Sequence, residues 1–411
     1  MPRKYPKVEY TEEGMREGMQ IEDANISVED KVRLLDALSE TGLKTILVGS
    51  FVSPRYTPQM TRIDEIVQKF HPKPGVTYTA LALNERGVER ARAYSPPLTV
   101  ERSGPPSLGI TLDDIFQRRN TNRSQMDGVA NWTKTIATAQ ERGAKEAGIS
   151  VGHPWGGNFI GRIPVEVTMK FLDLEHALWD EAGIKVTRCS FGDTMGWNMP
   201  HLVKETLANV KERWPEINRW SFHLHNARGT ALATAFTILD TLTEEDTVHL
   251  DGTIGGFGGC PYCGHGRSTG MMPTEDLMNM LTEMGIDTGV DLKKLIEAVW
   301  MCEEIVGRPL MGHVSKTGPS PSKLEDLFNP NMPFVETPEQ AKHFITGPKA
   351  YEGGIYPWRE PITSPYRDRL EKGLPAYDLN GDWPWTEAWL PKPANWGKAS
   401  GASKPSSRAK K

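Results

Sequence analysis

The sequence predicts a (β/α)8 barrel with a long irregular C-terminal extension, and three observations carry that prediction. First, short strand-like apolar runs alternate with helical patterns from residue 8 to residue 306. Second, eight such strands fall within about 250 residues, which is the repeat of a (β/α)8 barrel. Third, the polar residues suited to chemistry stand at the C-terminal ends of predicted strands. They are Arg16 and Glu17, Asp193, His223 and His225, and the glycine-rich stretch after Ile254. That is the face on which barrel enzymes assemble their sites. A doubly wound open sheet is the alternative, because periodicity alone does not establish closure.

Taken in order, Val8–Thr11 is a short apolar-polar run that leads into Glu12–Gln20. Val28, Val32 and Leu35 recur at helical spacing within Val28–Thr41, with Leu34 and Leu38 widening the apolar face. Lys44–Phe51 is a buried strand, Asp64–Phe70 a helix, Val76–Leu83 the third strand and Glu85–Ala93 a short helix. Pro96-Pro97 and Gly104-Pro-Pro-Ser mark an irregular excursion before Leu108–Leu112, the fourth strand. Asp113–Asn122 is polar and predicts a loop, and Val129–Ala147 predicts a helix. Ile149–Pro154 is strand five, Val165–Ala182 a helix, Lys185–Asp193 strand six and Met199–Arg213 a helix. Strand seven holds His223, Ala231–Leu242 is helical and Thr247–Ile254 is strand eight. Glu275–Val306 continues as helix.

The domain boundaries follow from composition. Residues 1–306 form the barrel with its following helices. Residues 307–396 form a Pro- and Trp-rich extension in which five of the twelve tryptophans lie. So many aromatics do not stay solvated, which predicts a belt laid over the barrel or over a partner protomer in a homodimer. Residues 397–411, rich in Ser, Gly, Ala and Lys, predict a disordered tail.

Composition excludes several classes. A net charge of -5 and a pI near 6.1 give no reason to expect nucleic acid or an anionic membrane as partner. No apolar run approaches the ~20 residues of a membrane span. The first residues lack the apolar core of a secretory signal. Four cysteines in 411 residues indicate a reducing compartment, and the cytoplasm is the expectation.

The chemistry centres on His223-Leu-His225. Two-residue periodicity puts both imidazoles on one face of the strand, where they suit a metal ion. A hydrogen-bonded pair in a polar cavity is the plain alternative. Glu17 would complete a two-imidazole, one-carboxylate set for a divalent cation, and an ion pair with Arg16 is its alternative role. Arg16 could hold a carboxylate or an enolate oxygen through paired donors. Asp193 could act as a base or support the ligands, or it could cap the helix that follows. Gly255–Gly266 predicts a mobile loop able to close over a ligand. Within it, Cys260-Pro-Tyr-Cys263 lacks the second cysteine pair of a structural zinc site, so proton transfer is the better role for Cys260.

Together these residues resemble the 3-hydroxy-3-methylglutaryl-CoA lyase family, within the metal-dependent barrel lyases and synthases that share an Arg-Asp/Glu-Gly motif. The matching segments are Arg16–Gln20, Gly49–Pro54 with Pro58–Met60, Gly192–Gly196, His223–Gly229, Gly255–Pro261, and Thr274–Leu277 with Met284–Gly289. They run in family order over residues 8–306. The resemblance implies retro-Claisen cleavage of a 3-hydroxyacyl-CoA, with Glu17, His223 and His225 on a divalent metal, Mg²⁺ or Mn²⁺ before Zn²⁺. It implies an enolate-stabilising role for Arg16 and proton transfer by Cys260 and Asp193. A Claisen-type synthase of the same group and a non-catalytic barrel subunit are the alternatives.

Three departures stand out. Leu47 occupies a position where the family has an acidic residue. Met271 replaces a metal-ligating Asn, and a thioether is a poor ligand for a hard cation. The stretch near residues 94–107 and the C-terminal extension are also unlike the typical member. Water, rather than His265 or Ser268, is expected to fill the place of the missing ligand, because His265 lies between two glycines.

Overall fold

The computed structural model describes residues 3–52, 55, 57–82, 85–100, 104–265, 270–333 and 354–377. The chain divides into two compact units, Met1–Pro319 and Ser320–Lys411. No described helix is long and apolar enough to cross a membrane.

Unit one is the barrel. Its parallel strands are β1 (Lys7–Glu12), β2 (Thr45–Ser50), β3 (Thr77–Leu81), β4 (Ile110–Thr111), β5 (Glu146–Gly152), β6 (Lys185–Asp193), β7 (Arg219–Leu224) and β8 (Thr247–Gly252). Their order in the sheet is β3-β2-β1-β8-β7-β6-β5-β4. The first strand therefore pairs with the last, along the whole of Lys7–Glu12. An open doubly wound sheet does not join its first strand to its last in this way. Between β3 and β4 the chain itself fills the seam, where Leu98 bridges Tyr78 and the Thr99 amide donates to the Tyr78 carbonyl at 2.8 Å.

The core lies between sheet and helices rather than inside the barrel. Ile46, Val48, Phe191, Trp220, Phe222, Leu224 and Leu250 are buried under helices such as Val165–Glu181 and Pro200–Arg213. The alternate residues face inward and are polar. One tier holds Lys7, Thr247, Arg219 and Arg188, paired strand to strand, and the next holds Glu9, His249, Ser221 and Ser190. Above them come Thr11 and Asp251 on β1 and β8, with His223 and Gly192 on β7 and β6.

Several expectations need correction. Asp113–Asn122 is a helix over Asp114–Thr121, not a loop. The Asp113 carboxylate caps its start by accepting the Phe116 amide, and Asn122 closes it in a left-handed conformation. The predicted helix Val129–Ala147 is two pieces, Gln125–Val129 and Trp132–Glu141, and Glu146 already belongs to β5. A capping box at Ser124 and Asp127 starts the first piece earlier than apolar spacing indicated. Glu275–Val306 is likewise two helices, Thr274–Glu283 and Leu292–Val306. The break holds Gly285 and Gly289, both at positive φ.

In unit two, Pro365–Glu371 is helical, capped by Ser364, and Asn331 exchanges two hydrogen bonds with the Ile362 backbone. Trp383, Trp385, Trp389 and Trp396 lie outside the described residues, as does the predicted tail at 397–411.

Candidate active site

β1 runs into a single π-type turn, Gly14–Gly18, in which the amides of Glu17 and Gly18 both donate to the Glu13 carbonyl, at 2.7 and 3.2 Å. This turn gathers Glu13, Arg16 and Glu17 over the barrel mouth. The Arg16 guanidinium binds the Glu17 carboxylate and lies 3.5 Å from that of Glu13.

β7 ends at Leu224, so His225 stands just beyond the strand, with its amide on the Asp193 carbonyl at 3.1 Å. The two histidine Nε2 atoms are nevertheless 3.1 Å apart, and Glu17 Oε1 is 3.6 Å from His225 Nε2. The ligand atoms of Glu17, His223 and His225 all lie within 4.8 Å of one another. Behind them Asp251 Oδ1 accepts from His223 Nδ1 at 2.9 Å. That contact fixes the ring and leaves its Nε2 as the ligand atom, as outer-shell carboxylates do at metal-binding histidines.

This donor set fits a divalent cation. Glu13, His223 and Asp251 form a second cluster of donors. It shares His223, whose Nδ1 is already engaged by Asp251 at 2.9 Å, so Glu17, His223 and His225 are the better ligand set.

The electrostatics agree. Burial opposes charge on His223, but Asp251 and then Glu13 and Glu17 outweigh it and raise its pKa to about 10. Burial, followed by the neighbouring His223 and Arg16 charges, pushes His225 well below the usual range. Burial and the nearby Asp251 raise Glu13 to about 7. A site that gathers carboxylates and holds a proton on one imidazole is set up to exchange that proton for a metal.

The glycine-rich stretch behaves differently from expectation. Gly255 to Cys260 are buried, not a free flap. The Gly259 amide donates to the Glu17 carbonyl at 3.3 Å, and the Gln20 side chain donates to the Gly259 carbonyl at 3.0 Å. A Cβ on Gly258 would lie 2.4 Å from the Glu17 carbonyl oxygen. Residues 266–269, with Ser268, fall outside the described residues. Cys260 is 7% exposed, and its charged form would interact with Arg16. The Cys263 thiol contacts that of Cys260 and donates to the Thr194 carbonyl at 2.9 Å. The Cys260 contact and burial together hold Cys263 protonated.

Asp193 is not drawn into the cluster. Its Oδ2 accepts the Asn198 amide and side chain at 2.6 and 2.7 Å, and the Asn198 side chain also donates to the His225 carbonyl at 2.8 Å. Leu47 is on β2, in register with Thr79, with no donor to offer. Met271 pairs its backbone with His225, next to the ligands. His265 is held on Asn158 at 2.8 Å and takes no part in the cluster.

Three residues of the site escaped the sequence reading. Glu13 and Asp251 flank His223. His153 has a left-handed backbone (φ 56°), bonds Thr194 at 2.6 Å, and is pushed by burial to a pKa of about 3. Asp251 and His153 both stand at or just past strand ends, which was the available signal.

The HMGL-like family profile matches residues 7–301. Among curated proteins, the chain is 32% identical over 307 residues to the hydroxymethylglutaryl-CoA lyase YngG of Bacillus subtilis, covering 74% of this chain and 96% of that one. It is also 32% identical to a 3-hydroxy-3-isohexenylglutaryl-CoA/hydroxymethylglutaryl-CoA lyase of Pseudomonas aeruginosa, over 71% of this chain and 90% of the other. Among solved structures, an HMG-CoA lyase from Acenitobacter baumannii in complex with coenzyme A and 3-methylmalate superposes with a TM-score of 0.60. It is 25% identical, and the match covers 77% of this chain and 96% of that one.

Proposed function

Because the chain belongs to the HMGL-like family, we propose that it is a carbon–carbon lyase that cleaves a 3-hydroxy-3-substituted glutaryl-CoA-type thioester. The observation that carries the reading is the convergence of Glu17, His223 and His225 beneath Arg16. An acyl-CoA substrate is supported by the coenzyme A bound to the Acenitobacter relative.

In the reaction, the Asp193 carboxylate, whose Oδ1 is buried without a hydrogen-bond partner, takes the proton of the 3-hydroxyl as the C2–C3 bond breaks. C3 becomes the carbonyl of the keto product, and the bonding pair moves onto C2 as the thioester enolate. Protonation of C2 then releases the acetyl-CoA-type product. Glu17, His223 and His225 would hold Mg²⁺ or Mn²⁺, with water where Met271 offers no oxygen. When bound, that ion polarises the hydroxyl and the emerging carbonyl. Arg16 holds the enolate oxygen through its paired donors. The Cys260 thiol, nearly enclosed and within the electrostatic reach of Arg16, gives the proton to C2. Besides taking that proton, Asp193 holds Asn198 through its Oδ2, and Asn198 in turn fixes the backbone of His225.

The test is product formation from 3-hydroxy-3-methylglutaryl-CoA and from analogues with longer 3-substituents, using the metal-loaded chain. An acetyl-CoA-type thioester should appear, and Cys260→Ser should slow turnover by roughly a hundredfold or more. No product from any of these thioesters would contradict the reading.

A further inference from the structure

At the opposite end of the barrel from the candidate active site, the N-terminal ends of the strands surround a cavity of about 1030 Å³. This is the size of a small-molecule site. Its upper limit is His249, bonded to Thr11 at 2.9 Å and to Ser221 at 3.3 Å. The cavity's charged lining is cationic on balance, with Lys7, Lys44, Arg188 and Arg219 against Glu9 and Asp287.

Arg188 and Arg219 are the unusual pair. They are direct partners on adjacent strands, β6 and β7, and both line the cavity. Like charges placed opposite each other in a sheet are destabilising. Among the described residues no carboxylate forms an ion pair with either arginine. Glu9 is taken by Lys7 at 2.7 Å, and Glu146 accepts the Thr187 hydroxyl at 3.3 Å. Arg188 Nε is buried without a hydrogen-bond partner, an arrangement that costs free energy unless something else occupies it. Burial, and then the Arg219 charge, work against the protonated form of Arg188, and the Glu146 and Glu9 charges offset them only in part.

We infer that this lower cavity binds a phosphate-class oxyanion between Arg188 and Arg219. Two guanidinium groups present parallel N–H donors matched to such an anion, and its charge relieves their repulsion. The hydroxyls of Thr77, Thr79 and Thr99 line the same space. Thr99 comes from the seam segment between β3 and β4. The volume leaves room for an organic group attached to the phosphate. The inference does not depend on the lyase reading, because no ligand or proton donor of that site lines this cavity.

The experiment is calorimetric titration of the metal-loaded full chain with inorganic phosphate and, separately, with glycerol 3-phosphate, each at ionic strength matched with chloride. Wild type should bind. Arg219→Gln, at the cavity mouth, and Arg188→Gln with Arg219→Gln should bind roughly tenfold or more weakly with unchanged turnover. Without oxyanion these variants should melt no lower than wild type, because the like-charge pair is gone. Tighter binding of glycerol 3-phosphate would assign the site to an organic phosphomonoester, and equal binding would assign it to free phosphate. No binding of either probe to wild type, or undiminished binding to Arg219→Gln and the double variant, would overturn the inference.

Discussion

Glu175 sits on the helix Val165–Glu181 behind β5, where one carboxylate oxygen accepts the Ser150 amide at 2.8 Å and the other is buried without a partner. Burial raises its pKa to about 8, with the Ser150 bond pulling the other way. A carboxyl raised in the folded state contributes stability that is complete below its unfolded pKa, near 4.5, and is lost as pH rises through 8. Glu175→Gln escapes that loss. Its stability relative to wild type should therefore climb between those limits, by up to about 1.4 kcal/mol per pH unit. Denaturant unfolding of both proteins across that range checks it, and parallel curves would refute it. At this same scale, Glu17, His223 and His225 were legible because their residue types name their chemistry. Asp251 was not, because an aspartate at a strand end has many ordinary uses and only the fold sets it 2.9 Å from His223.

At the scale of elements, the turn Gly14–Gly18 and the stretch Gly255–Cys260 are locked together by close backbone approach. Gly258 has φ 94° and no space for a Cβ beside Glu17. Gly258→Ala should push aside the turn that carries Glu17, lowering metal affinity by roughly tenfold or more and leaving the melting temperature far less changed. Metal titration beside thermal unfolding measures both, and unchanged affinity would show that the packing does not matter. Glycine density had suggested a flap, yet here it serves contact. A glycine that frees the backbone and one that lets two backbones touch look the same in a sequence. The helix Asp114–Thr121 was hidden for a related reason. Its face is polar and only its caps, Asp113 and Asn122, mark it.

For the whole molecule, strand count and the placement of polar residues at strand ends were enough for the barrel, while closure required the pairing of β1 with β8. The polar interior was written in the alternation of Lys7, Glu9 and Thr11 and of Arg219, Ser221 and His223. It went unrecognised because inward and outward faces cannot be told apart before the helices are in place. The proposed chemistry depends on the three-residue ligand set at the C-terminal end of this barrel, and metal content measures that most directly. Elemental analysis of purified protein loaded with Mn²⁺ should find about one ion per chain in wild type and in Cys260→Ser, and almost none in His223→Ala. Metal-free wild type, or His223→Ala that keeps its metal, would contradict the account.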